Sequence, residues 1–370
     1  MAQILGRVNT WTQESTQALH CGVPWRSVIP MPVKLTWLER VAFALNVGPA
    51  PVIDYVGALS LQALLLGIGL GVFEKLKEGS ATTEHLACEL GADTRALNLL
   101  LDSLSATGYL RQNGDRYALT PMAAKWAPRF SDGASFYRRV ALEGWSNVAA
   151  RLRGQKTAGG NGLTPEGGGT TDAGMLSNAR LMADEVARRV RLPGSARRMV
   201  DVGGGHGLYS AKLCERNHQL TAVVFDRPST LELARRVLAE ERAGDRVMTQ
   251  TGDFWVDPLG HGYDVALLFN LLNGFPIDQR IELLRKVADA TSDKGLVVVL
   301  DSMRRPTLHG ASRAVVELTS LRLFDPEQND TYRLDELKSW LSAAGWEVSR
   351  VDGLMSLPWV GFVEARKTAH

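Results

Sequence analysis

Met199–Tyr209, reading MVDVGGGHGLY, decides the fold. An apolar pair leads into Asp201 and Val202, and four glycines follow within five residues. A short buried strand entering a glycine-rich turn, with a helix from Ser210 onward, is how α/β folds bring backbone close to a nucleotide. Glycine is required because the turn takes dihedrals that side chains forbid and a ligand must approach the main chain closely. The spacing Gly203-x-Gly205-x-Gly207 is not that of dinucleotide binders, because Leu208 stands where their third glycine would fall. The loop alone is a weak signal, so its surroundings must carry the argument.

Downstream, strands and helices alternate. Strands are expected at 199–202, 221–225, 247–251, 265–269 and 296–300, with helices at 210–215, 230–240, 278–288 and 334–344. An antiparallel finish is expected over 347–351 and 362–365. Repeated βα units imply a doubly wound parallel sheet whose ligand lies beyond the carboxyl ends of its strands. Three such ends converge. The glycine loop, with Asp201, Gly203 and Gly205, is the first. Asp226 ends the next strand and is placed to accept hydrogen bonds from ribose hydroxyls. Gly252-Asp253-Phe254 is the third, offering a carboxylate and a ring to an adenine. Taken singly, Asp226 could be a helix cap and Asp253 a turn residue; together they describe a nucleoside site.

Upstream the pattern is helical. The uncharged run Val56–Phe73 approaches the length of a membrane span. Its glycines and polar residues favour a buried helix, with Leu59, Ala63, Leu66 and Leu70 on one face. Helices at 83–90 and 94–107 follow, then a hairpin turning at Asn113-Gly114. This is a winged-helix order. Arg95, Arg111 and Arg116 are too few cations for a nucleic-acid face, and Asp102 opposes them, so a dimerisation module is expected. A helix over 136–153 precedes the stretch 154–174, whose glycines suggest a mobile connector or lid. The expected domains are an arm at 1–50, an all-helical winged-helix domain at 51–155, a Gly-rich connector and linker helix at 156–185, and the α/β domain at 186–370.

Composition sets outer bounds. In 370 residues, 45% apolar and 22% charged with net charge +2, nothing marks a nucleic-acid or membrane partner. Cys21, Cys88 and Cys214 show no paired spacing and fit a reducing cytoplasm. No two histidines have metal-ligand spacing along a helix, so no metal is expected.

VDVGGGHG, VVFDRPSTLELAR, GDFWVDPLGHGYDVALL and the late AAGW closely resemble S-adenosylmethionine-dependent small-molecule O-methyltransferases, the caffeate-type and antibiotic-tailoring enzymes with a winged-helix dimerisation domain. The resemblance covers roughly residues 50–368 and implies a class I, Rossmann-like methyltransferase sheet. It implies a homodimer, a small-molecule substrate, and S-adenosylhomocysteine as the spent cofactor. Gly203, Asp226, Arg227, Asp253 and Phe254 would contact the cofactor, with Asp201, Gly205, Gly252, Phe269 and Asn270 at the same strand ends. Arg227 replaces the family's Leu or Met.

The departures matter more. Where the family has L-H-D-W with a general-base histidine, this chain has Asn273, Gly274 and Phe275. Asp301 keeps one of two acidic supports for the base, and Thr331-Tyr332-Arg333 stands near the other. Asparagine cannot remove a proton, a deficit worth roughly 10²–10⁴-fold for a neutral hydroxyl. Three readings stay open: a carbon, amine or acidic phenol oriented by Asn273; another base, Tyr332 or Asp301; or a bound cofactor serving a cyclisation or elimination. A binding or regulatory protein is the remaining possibility. His206 reads as a neighbour of the cofactor, and His309 as loop filler. Trp145, Asn178, Met182, Asn270, Glu317, Arg322 and Phe324 are the expected acceptor walls, between the two halves, suited to a flat aromatic or polycyclic molecule.

Overall fold

The computed structural model describes residues 51–142, 148–153, 168–323 and 331–368, with isolated positions at 38, 39, 41, 45, 145 and 155. Almost all of the expected arm, positions 156–167 of the connector, and Phe324 lie outside the described residues. Two compact units divide the chain, Met1–Pro128 and Arg129–His370.

In the first unit, α1 (Pro51–Gly69), α2 (Val72–Lys77), α3 (Thr83–Leu90) and α4 (Thr94–Ala106) precede a hairpin of β2 (Leu110–Asn113) and β3 (Arg116–Leu119). A two-residue strand β1 (Ala81–Thr82) joins β3 to make a three-stranded sheet. The helix boundaries follow from side chains that satisfy otherwise unpaired amides. The Thr82 side chain accepts from the His85 amide, Asp93 accepts from the Ala96 amide, and Gly91 closes α3 at φ 62°. Phe73, Leu86, Leu101, Leu104 and Tyr117 form the buried centre. The Tyr117 hydroxyl donates to Asp102 at 2.6 Å, which turns that acid into the wing.

One expectation needs correcting here. Leu59, Leu66 and Leu70 do not face inward: they are 52%, 55% and 46% exposed, beside exposed Val52 and Tyr55. The inward residues of α1 are Leu64, Leu65 and Ile68, because Gly67 lets Leu104 and Phe73 approach within 3.0 Å of where its Cβ would stand. Length and composition would let α1 cross a membrane, and only 28% of that window is buried. An apolar face left outward on a helix is a surface for a protein partner or a membrane.

The second unit begins with α5 (Ala134–Leu142), α6 (Val148–Leu152) and α7 (Gly168–Arg189). The helix expected over 136–153 is thus two helices, and the end of the glycine-rich stretch is helical. Gly174 sits in α7 because a Cβ there would fall 2.2 Å from the Phe136 ring, so the glycine permits helix contact. The sheet then forms from β4 (Arg198–Val202), β5 (Thr221–Asp226), β6 (Val247–Thr251), β7 (Tyr263–Phe269), β8 (Thr291–Ser302), β9 (Trp346–Gly353) and β10 (Val360–Lys367). Between them run α8 (Leu208–Arg216), α9 (Pro228–Glu240), α10 (Ile277–Ala290), α11 (Gly310–Leu323) and α12 (Leu334–Ala343). Helix α11 has no counterpart in the sequence reading.

Strand order is β6-β5-β4-β7-β8-β10-β9, with β4 to β8 parallel and β10 antiparallel to both neighbours. The central strands are unbroken apolar runs because helices cover both faces. Val200, Val202, Ala266, Leu268, Val297 and Val299 are fully buried, each Val or Leu side chain stabilising by roughly 1.5–3 kcal/mol. Chain order reverses at β4, between β5 and β7, which opens a crevice at their carboxyl ends.

Candidate active site

Backbone conformation makes the glycine loop. Gly203, Gly205 and Gly207 hold φ of 63°, 54° and 69°, where a side chain is strained. Gly204 lacks that dihedral but is fixed by contact, since a Cβ would stand 2.5 Å from Cγ of Asp201. Asp201 is 1% exposed and accepts from the Ser210 hydroxyl at 2.7 Å. Its Oδ1 has no partner among the described residues. Burial pushes this carboxyl up to about 7, with the Ser210 hydrogen bond opposing and the charge on Asp226 adding.

Asp226 braces the loop. One oxygen accepts from the Gly205 amide at 2.9 Å and the other from the Arg227 amide at 2.7 Å. Burial raises its pKa while those amides lower it. Each oxygen keeps a second lone pair for a ligand hydroxyl. The Arg227 side chain is exposed, so its amide is what serves Asp226. Gly252 is the third strand end, where a Cβ would lie 2.3 Å from the Phe225 ring. Asp253 spends Oδ1 on the Trp255 amide at 2.8 Å, which is a turn contact. Phe254 packs against Trp255 and Phe275, at centroid separations of 5.1 and 5.7 Å.

Two more residues at these strand ends are constrained. Phe269 is 7% exposed and meets Tyr209 edge-on at 4.9 Å. Asn270 has φ 52°, a strained state for a residue with a side chain, just as β7 ends. His206 is buried, and its Nδ1 accepts from the Leu208 amide at 3.1 Å. Burial lowers its pKa to about 4, so at neutral pH the imidazole is uncharged. Asp172 had no sequence signal. It lies on α7, where burial first and the charge of Asp226 second raise its pKa.

The expected acceptor side centres on Asp301, which is 2% exposed at the end of β8. Four donors converge on it: Nδ2 of Asn273, the amides of Asn273 (3.3 Å) and Ser302 (3.0 Å), and the Tyr332 hydroxyl (3.1 Å). Burial dominates and pushes its pKa up to about 7, with Tyr332, the two amides and Arg280 opposing. Tyr332 is itself buried, which raises its pKa well above the ordinary value, and its proton already points at Asp301. It supports Asp301 and is not arranged to receive a proton. Arg280 stacks over Tyr332 and Trp340 at 5.2 and 4.9 Å, closing the group from behind.

Sequence reasoning brought Asn273, Asp301 and Tyr332 together, and they do form one hydrogen-bonded group. The expected acceptor walls are not gathered in the same way. Met182 is 1% exposed within the core, and Asn178 accepts from the Tyr137 hydroxyl at 2.5 Å. Arg322 is buried at 7% on α11, Glu317 pairs with Arg304 at 3.2 Å, and Trp145 is 37% exposed.

The residues present fit an adenosyl cofactor carrying an amino acid. The loop offers close backbone approach, Asp226 two acceptors for hydroxyls, and Asp201 a buried oxygen lacking a donor. Comparison with known proteins agrees. A family model of the O-methyltransferase domain matches residues 165–347, and one of the O-methyltransferase dimerisation domain matches residues 55–129. A 3-hydroxy-5-methyl-1-naphthoate 3-O-methyltransferase of Streptomyces sahachiroi is 29% identical over 304 residues, 78% of this chain and 86% of that protein. The N,N-dimethyltransferase OxyT of Streptomyces rimosus is 27% identical over 321 residues, 80% and 90% of the two chains. The crystal structure of N,N-8-amino-8-demethyl-D-riboflavin dimethyltransferase from Streptomyces davawensis superposes with a TM-score of 0.67 at 23% identity, covering 90% of this chain and all of that one. With both of its domains matched in order, the chain belongs to the S-adenosylmethionine-dependent O-methyltransferase family that carries an N-terminal dimerisation domain.

Proposed function

We propose that this enzyme methylates a small aromatic or polycyclic intermediate of secondary metabolism, at a nitrogen or carbon that reacts without prior loss of a proton. The single observation behind this reading is Asn273, which stands on Asp301 at the position where the family resemblance implies a general-base histidine. S-adenosylmethionine supplies an electrophilic methyl group. Gly203, Gly205, Asp201 and Asp226 would hold it, with Gly252, Asp253 and Phe254 beside the adenine and Phe269 and Asn270 flanking. Arg227 would contribute its amide through Asp226. The dimerisation domain supports a homodimer, and we place the enzyme in the cytoplasm.

The chain's own contribution is alignment. Holding a nucleophile in line with a bound methyl group can contribute about 7–11 kcal/mol of the barrier without any proton transfer. Asn273, fixed by Asp301 and Ser302, supplies a rigid contact for that purpose. Tyr332 and Arg280 keep Asp301 in place from the far side.

The test is to incubate full-length protein with isotope-labelled S-adenosylmethionine and a panel of aromatic and polycyclic amines, phenols and enols. Labelled product on nitrogen or carbon is expected. Acceptor consumed into unlabelled product would sink the methyl-transfer reading. Label found only on phenolic oxygen would sink the choice of atom.

A further inference from the structure

Asn273 carries further information in the direction its amide faces. Its Nδ2 donates to Asp301 and to the Ser302 carbonyl at 3.1 Å. A carbonyl never donates, so turning the amide over would set oxygen against oxygen, and the orientation is determined. Oδ1 therefore points away from both. It is shielded from solvent and has no hydrogen-bond partner among the described residues. A buried acceptor without a donor is unfavourable, and a donor on a bound ligand removes that cost.

The titratable groups of this cluster, Asp301 and Tyr332, are not arranged to take a proton from the ligand. Both oxygens of Asp301 are occupied by donors, and the Tyr332 hydroxyl points at one of them. The methyl acceptor must therefore be nucleophilic while still protonated, and must present a donor at the reacting atom. A neutral amine meets both conditions. A neutral phenol meets only the second, and a ring carbon presents no donor.

Resting on the methyl-transfer reading above, we propose that Oδ1 of Asn273 accepts a hydrogen bond from the N–H of an aromatic or polycyclic amine, which makes nitrogen the methylated atom and Asn273 the residue that selects it. The nitrogen lone pair forms the new N–C bond while the C–S bond breaks, its electron pair staying on sulfur. The positive charge passes to nitrogen as an ammonium, whose N–H keeps its contact with Oδ1. That proton goes to water when the product leaves. A monomethyl amine still carries an N–H and can enter again. A dimethyl amine carries none, so reaction stops there.

Three probes sharing one ring position test this: aminoanthracene, hydroxyanthracene and methoxyanthracene. Their affinity for the full-length protein saturated with S-adenosylhomocysteine is measured by calorimetry, and their products with labelled cofactor by mass spectrometry. The amine should bind about tenfold more tightly than the methoxy compound, as one good hydrogen bond implies. It alone should be methylated, ending at the dimethyl product. Asn273→Leu should erase the amine preference while S-adenosylhomocysteine affinity stays unchanged. Asn273→His, which restores a base on Asp301, should extend methylation to the hydroxyl compound. Equal affinity for the three probes, including no binding, would overturn the proposal, as would wild-type methylation of oxygen, ring carbon or a tertiary amine. Because S-adenosylhomocysteine binding is measured first, its loss would identify failure of the underlying methyl-transfer reading instead.

Discussion

The two ends of the site are built on opposite plans. At the glycine loop, backbone does the work: three left-handed glycines, a fourth fixed by contact, and Asp226, whose carboxylate receives main-chain amides. At Asn273 the work falls to side chains, which converge on one buried acid from segments 28 and 31 residues apart. A backbone cradle tolerates little substitution and binds one shape of ligand. A side-chain cluster can exchange a member and keep its scaffold, so a change at position 273 can leave Asp301 and Tyr332 in place.

The largest effect that would break this contrast is at Asp226. Asp226→Ala removes hydrogen bonds to a charged acceptor, each worth about 1.5–3 kcal/mol. Cofactor affinity measured by calorimetry should fall by about 100-fold or more. Unchanged affinity would remove Asp226 from the site. Next is Gly204→Ala, whose Cβ would strike Asp201. Overpacking of this kind costs typically about 1–3 kcal/mol, visible as a lowered melting temperature with weaker cofactor binding. If both were unaffected, the loop would not be held by contact.

On the other side, Asp301 should make stability depend on pH. Its folded pKa is raised to about 7 from an ordinary value of 3.8. Above that ordinary value the unfolded chain loses the proton while the folded chain keeps it, so stability falls as pH rises from about 4 to about 7 and then levels off. Asp201, raised to about 7 as well, contributes in the same sense. His206, lowered to about 4, opposes them below its ordinary value of 6.5, so denaturation midpoints should decline only modestly across pH 5 to 7 in the wild type, and Asp301→Asn should lessen that decline. A slope equal to the wild type's would mean that Asp301 is not held protonated. The smallest effect is expected at Arg227→Met. The side chain is exposed and Asp226 uses only the amide, so cofactor affinity should stay within about twofold, the usual size of a surface change. A larger loss would give the guanidinium a direct role.

The sheet was legible because apolar strand runs and glycine punctuation are local properties of the chain. The glycine loop and Asp226 were legible for the same reason, and the resemblance then exposed Asn273 as a departure. What escaped depends on partners distant in sequence. Gly174 read as loop because its reason for being glycine is the Phe136 ring, 38 positions earlier. Asp172 acquires meaning only through the fold that brings it near Asp226. The direction of the Asn273 amide is set by Asp301 and the Ser302 carbonyl, which no local pattern can reveal. The exposure of one side of α1 escaped because an all-round apolar helix has little periodicity to read.

That helix has a consequence in the test tube. Its exposed Tyr55, Leu59, Leu66 and Leu70 lie in or beside the segment matched by the dimerisation-domain model. Where association covers such a surface, unfolding separates the subunits, and mass action ties the melting temperature to protein concentration. Assays run at nanomolar enzyme would sample a different equilibrium from calorimetry at tens of micromolar. Specific activity that declines on dilution, and recovers when carrier amounts of inactive Asp226→Ala protein are added, would be the signature of that coupling.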